Sequence, residues 1–162
     1  MAASIEQQRI SVRRQVETVA QAPQQVLTAE PACDPIPQPQ LTGMIDDAAR
    51  RQGVDPALVR EVARQESGFR PCAVSVKGAQ GLMQLMPSAQ IQMQIGDPFD
   101  AKESLEAGAK LLKQLLDRYH GNLTLALSAY NAGPSRVDRE GKIPEIPETR
   151  HYVETILGRL PQ

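Results

Sequence analysis

Five of the chain's 13 prolines fall between residues 21 and 40, as Pro23, Pro31, Pro35, Pro37 and Pro39 among Gln, Ala and Thr. Proline lacks an amide donor and clashes with the preceding helical turn, so this stretch predicts an extended linker and not a helix. It divides the 162 residues into a short piece over 1–20, a Pro-rich linker over 21–40 and a block over 41–162 of single-domain size. Ahead of the linker, Ser4-Ile-Glu-Gln7 resembles a capping box and Ile5, Val12, Val16 and Val19 form a narrow stripe. That spacing predicts a helix over 4–19, whose role could be docking, dimerisation or neither.

Composition then removes several function classes. Lys and Arg number 18 against 19 Asp and Glu, and over 41–162 the balance is 15 to 15. With no basic excess, nucleic acid is not an expected partner. No apolar run approaches the ~20 residues that span a bilayer. Aromatic residues are 3% and Trp is absent, so the core must come from Leu, Val, Ile, Ala and Met. Two cysteines, Cys33 and Cys72, and two unclustered histidines, His120 and His151, are too few for a four-ligand zinc site. Phosphate-loop, dinucleotide and zinc-protease signatures are missing. No metal and no cofactor are expected.

The 41–162 block reads as all-α. A first helix is expected over 41–52, with Thr42 as cap and Gly53 as stop. Asp55-Pro56 supplies an N-cap and a proline at the first helical position, and Gly68 ends that helix near 66–67. Asp100 and Glu103, in capping-box spacing, open a helix whose buried face is Leu105, Ala109, Leu112, Leu115, Leu116 and Tyr119. Asn122 caps a short helix closed by Gly133-Pro134, and a last helix covers 148–159. Sustained alternation and hairpin turns are absent, so no strand is expected.

Three segments could carry chemistry. Leu58, Val62 and Glu66 follow at i, i+4 and i+8, which puts the Glu66 carboxylate on the apolar face of its helix, in the last turn. Desolvation and the negative end of the helix dipole both raise its pKa, as a general acid requires. The plain alternative is a helix-end Glu that bends into solvent or pairs with Arg70. The second segment is Gly78-Ala-Gln-Gly-Leu-Met-Gln-Leu-Met-Pro87, where Gln84 offers a donor and an acceptor and Met83 and Met86 offer soft apolar surface. Taken singly it could also be a helix start with methionines as core filler. The third is Ala129-Tyr-Asn-Ala-Gly-Pro134, where the Tyr130 hydroxyl could reach a neighbouring carboxyl. Asn131 could bond ligand amides or simply the turn.

Taken in order, Glu66-Ser67-Gly68-Phe69, Gly81-Leu-Met-Gln-Leu-Met-Pro87 and Ala129-Tyr-Asn-Ala-Gly-Pro134 resemble the lytic transglycosylase family. The resemblance is to its soluble-lytic-transglycosylase (SLT) catalytic domain, related in fold to goose-type lysozyme. It covers about 41–160 and includes Asp97-Pro98-Phe99-Asp100, Glu106-Ala-Gly108 and Glu148-Thr149-Arg150-x-Tyr152-Val153. It implies that Glu66 is the single catalytic acid/base. It also implies that Ser67, Ser75, Gln84, Met86, Tyr130 and Asn131 contact substrate or shape the groove, with Tyr130 orienting the acid. Ser104, Leu111 and Cys72 depart from the family's usual Asn, aromatic and Asn or Asp, which bears on subsite preference.

The resemblance further implies peptidoglycan as partner, cut between N-acetylmuramic acid and N-acetylglucosamine. The muramoyl 6-hydroxyl would close on C1 to give a 1,6-anhydro end. A glycosidase that uses water needs a second carboxylate, and here Asp97, Asp100 and Glu103 are accounted for by turn and capping chemistry. The rival readings are a goose-type lysozyme-like hydrolase and a non-catalytic glycan-binding or scaffold module. Peptidoglycan lies outside the cytoplasm, so an exported, cell-envelope protein is expected, with its leader removed. In that compartment Cys33 and Cys72 are expected to form a disulfide tethering the linker to the groove wall; a cytoplasmic chain would keep both thiols. A monomer is expected.

Overall fold

The computed structural model describes residues 33–161. The helix expected over 4–19 and most of the Pro-rich stretch lie outside the described residues. Seven helices run along them: α1 (Gln38–Gln52), α2 (Pro56–Ser67), α3 (Pro87–Met93), α4 (Ala101–Arg118), α5 (Leu123–Ala132), α6 (Pro134–Glu140) and α7 (Pro147–Arg159). No strand forms among the described residues. Only isolated bridges occur, pairing Gln80 with Val74 and with Leu85.

Three helices begin where local chemistry said they would. Asp55 accepts from Ala57 N at 2.8 Å, Asp100 from Glu103 N at 2.9 Å, and Asn122 from Leu125 N at 3.1 Å. Each bond satisfies a first-turn donor that has no partner inside the helix. Elsewhere proline sets the start: Pro39, Pro56, Pro87, Pro134 and Pro147 all lie in the first turn of a helix. Proline is tolerated there because its missing donor was not needed.

That chemistry corrects two expectations. The linker gives way to helix at Gln38, not at residue 41, and Thr42 is not a cap. Its Oγ1 sits one turn inside and donates to Gln38 O at 2.8 Å. Pro134 likewise does not merely close α5 but opens α6.

The core is built on α4, which packs against α1 and α5, while α2 contacts α1, α4 and α7 and α5 contacts α7. Leu41, Ile45, Val59, Val62, Leu105, Leu112, Leu127 and Ile156 are fully buried in it. Of the face expected for α4, Leu105, Ala109, Leu112 and Leu115 are buried, whereas Leu116 and Tyr119 are half-buried. The disulfide joins Cys33 to Cys72 with Cα atoms 5.6 Å apart. Beside it, Ile36 N donates to Phe69 O at 3.0 Å, so the segment before α1 is fastened to the turn that follows α2.

Candidate active site

The loop from 69 to 86 crosses the domain with little regular structure, so its buried peptide groups need partners from elsewhere. Side chains supply them. Ser104 on α4, itself buried, accepts from Met83 N at 3.1 Å. Tyr130 on α5 donates to Met83 O at 2.8 Å, and Ser67 Oγ lies 2.8 Å from Leu82 O and 3.2 Å from Ala63 O. Two glycines let the loop lie close. A Cβ at Gly81 would strike Pro98 O, and one at Gly108 would come within 2.6 Å of the Met83 side chain. The result is a wall of Gly81–Met86 clamped between α2, α4 and α5.

Glu66 stands in the last turn of α2, where Tyr152 of α7 donates to its Oε1 at 2.7 Å. The carboxyl is pushed up to about 7, chiefly by burial; the Tyr152 bond works against that rise and the nearby charge of Glu148 adds to it. A carboxyl held there is partly protonated and partly ionised at neutral pH, so it can give and take a proton at the same pH. Burial, and then the charge of Glu66, drives the Tyr130 and Tyr152 hydroxyls well above their usual range, so both stay protonated donors. No ion pair joins Glu66 to Arg70 among the described residues.

A cleft of about 250 Å³ is lined by Gln84, Met86, Leu111, Tyr130 and Pro134 among others, with Glu66 outside its lining. Tyr130 lines this cleft and also feels the charge of Glu66. Its hydroxyl is spent on Met83 O, so it does not hold the acid as expected; Tyr152 does. Gln84 gives Nε2 to Ala73 O at 3.0 Å and to Gly81 O at 2.9 Å, which leaves Oε1 as its acceptor. Met86 is exposed at the start of α3.

Ser75 Oγ accepts from Ala79 N at 3.0 Å and keeps its proton to donate. Asn131 Oδ1 accepts from Thr149 Oγ1 at 2.8 Å, leaving the amide NH2 for another partner. Ser67 differs from expectation, because a buried hydroxyl bonded to two carbonyls cannot reach a sugar. It ties α2 to the loop.

Tyr152 was recognised in the sequence only as part of a longer motif, and its contact with Glu66 was missed. A signal existed: Thr149, Tyr152, Val153 and Ile156 share the buried face of α7, and a buried tyrosine hydroxyl needs an acceptor.

A helical domain that shelters the carboxyl of Glu66 is what the SLT resemblance implies. The family model described as the transglycosylase SLT domain matches residues 43–153, and the chain belongs to that family. A transglycosylase of Enterobacteria phage PRD1 is 36% identical over 103 residues, covering 64% of this chain and 38% of that protein. A membrane-bound lytic murein transglycosylase F of Desulfosudis oleivorans is 35% identical over 105 residues, covering 61% and 23%. An inactive mutant of the lytic transglycosylase Slt from Pseudomonas aeruginosa superposes with a TM-score of 0.64 at 30% identity, covering 72% of this chain and 22% of that one. The chain therefore spans well under half the length of these relatives.

Proposed function

We propose that the chain is a peptidoglycan lytic transglycosylase with Glu66 as its one acid and base. The observation that carries this is the carboxyl of Glu66, raised to about 7 by burial and held by Tyr152 at 2.7 Å. Protonated Glu66 gives its proton to the glycosidic oxygen between N-acetylmuramic acid and N-acetylglucosamine as the C1–O bond breaks. The resulting carboxylate takes the proton of the muramoyl 6-hydroxyl, whose oxygen closes on C1. Glu66 ends protonated as it began, no water is consumed, and the glycan ends in 1,6-anhydro-muramic acid. An intramolecular hydroxyl has the entropic advantage, since well-oriented groups reach effective molarities of ~10⁵ M or more.

Gln84 and Met86 line the cleft with Tyr130, and Asn131 and Ser75 retain free donors suited to acetamido and hydroxyl groups. The protein acts in the cell envelope, which agrees with the paired state of Cys33 and Cys72. Among the described residues no helix is long and apolar enough to cross a membrane.

One observation favours hydrolysis as a second reading. The exposed carboxylate of Glu148 acts on Glu66 through its charge and has no ion-pair partner among the described residues. Asp97 and Asp100 accept from Phe99 N and Glu103 N, the turn and capping roles expected of them. Reduction of digested sacculi with borohydride followed by mass spectrometry separates the readings. Anhydro ends resist reduction and are lighter by one water, reducing ends mean a hydrolase with Glu148 as the base to mutate, and undigested sacculi mean a binding module.

A further inference from the structure

A second cavity, larger than the Tyr130 cleft, is not lined by Glu66. It measures about 590 Å³ and lies between the last turn of α1, the end of α3 and one side of α4. It shares no lining residue with the Tyr130 cleft. Met93, Ile95 and Ala107 give it apolar surface.

Both carboxylates on its wall are already engaged. Glu106 accepts from Arg51 Nε at 2.8 Å and Gln52 Nε2 at 2.6 Å, while Glu103 Oε2 accepts from Gly96 N at 2.7 Å and Asp97 N at 3.0 Å. Lys102 and Lys110 form no ion pair among the described residues. The lining therefore carries Arg51, Lys102 and Lys110 against Glu103 and Glu106, a net charge of +1, with the two lysines outside any ion pair among the described residues, beside an apolar surface. They stand eight residues apart on α4, about 12 Å at 1.5 Å per residue. An extended chain advances about 1.2 Å per bond, so two carboxyl carbons about ten bonds apart match that spacing. The volume is within the ~300–1,000 Å³ of ordinary ligand sites.

We propose that this cavity binds a short extended peptide whose two carboxylates lie about ten bonds apart, as in the alanyl-γ-glutamyl-lysyl-alanine side chains of peptidoglycan. The protein then holds its polymer at two places, sugar in the Tyr130 cleft and peptide between Lys102 and Lys110. The choice of peptide source rests on the function proposed above; the two cations and their spacing do not.

The test is calorimetric titration of the full chain with synthetic alanyl-γ-glutamyl-lysyl-alanine, free of glycan, and with the same peptide amidated at both carboxylates. The dicarboxylate is expected to bind, with amide shifts in ¹⁵N NMR spectra on α1 and α4. The K102Q/K110Q variant should weaken it about tenfold, as should the diamide, and K102R/K110R should restore it. Both lysines are exposed, and thermal melts check that the variants fold. Equal affinity for dicarboxylate and diamide would overturn the proposal. So would undiminished binding by K102Q/K110Q, shifts confined to the Tyr130 cleft, or no binding at all. Because no glycan is present and no turnover is read, such a failure is separate from failure of the transglycosylase reading, which the borohydride experiment decides.

Discussion

Glu66→Gln should make the protein inactive and, above neutral pH, more stable. In the folded chain the Glu66 carboxyl titrates at about 7 against 4.5 for the free side chain. The folded state therefore favours the protonated form. Below pH 4.5 the carboxyl is neutral folded and unfolded, and it contributes no pH-dependent difference. As pH rises through 4.5 the unfolded chain ionises first, and folding loses free energy until the folded carboxyl also ionises near 7.

The full interval, at 1.36 kcal/mol per pH unit, is about 3 kcal/mol. Glu66 keeps some contact with solvent, so about 1–3 kcal/mol is expected. Gln has nearly the same shape and cannot ionise, so the variant should escape that loss. Urea unfolding at pH 8 should show the variant more stable by this amount, with the difference closing by pH 4. Turnover of sacculi should fall by at least the ~10²–10⁴-fold typical of acid–base groups. Equal stability of the two proteins at pH 8 would refute the burial argument, and wild-type turnover by the variant would remove Glu66 from the chemistry.

Tyr152→Phe removes the bond that holds the Glu66 pKa down, so the alkaline limb of the pH–rate profile should move up by about one pH unit; a limb that stays put or moves down would clear Tyr152 of that role. Ser104→Ala leaves the Met83 N–H without its acceptor inside the protein. The expected cost is about 1–3 kcal/mol by urea titration, with lower turnover as the cleft wall loosens. Cys33→Ser with Cys72→Ser opens a crosslink between residues 39 apart. On the chain-entropy model the melt should reveal a loss of up to about 4 kcal/mol.

How much of this was legible depended on whether the deciding chemistry was local. Asp55, Asp100 and Asn122 cap through bonds to residues two or three positions on, so α2, α4 and α5 can be read from a few adjacent letters. Proline carries two meanings, stop and start. Pro134 reads as an end when seen from α5, yet it opens seven residues of α6, and Pro87 does the same for α3. Such short helices have too few residues for a periodic stripe, so nothing but the proline announced them. Contacts across the chain were the least legible. The acceptor of Tyr152 is 86 residues away and that of Tyr130 is 47 away, and no spacing rule connects them. The family resemblance implies Tyr130 as the partner of the acid, whereas the hydroxyl that bonds Glu66 is that of Tyr152.

The motif residues divide by what their polar atoms are left to do. Ser67, Ser104 and Tyr130 each spend a hydroxyl on the backbone of Leu82 or Met83. That backbone passes through the interior without a helix or sheet to satisfy it, and removing any of these partners leaves a buried peptide group alone. Their part is to fix the wall of the cleft. Ser104 supplies the acceptor that Met83 N requires. Glu66 is the opposite case. Its carboxyl has a single side-chain donor in Tyr152 among the described residues, and partial burial is what chiefly raises its pKa. The wall is thus well satisfied while the acid keeps one side-chain donor.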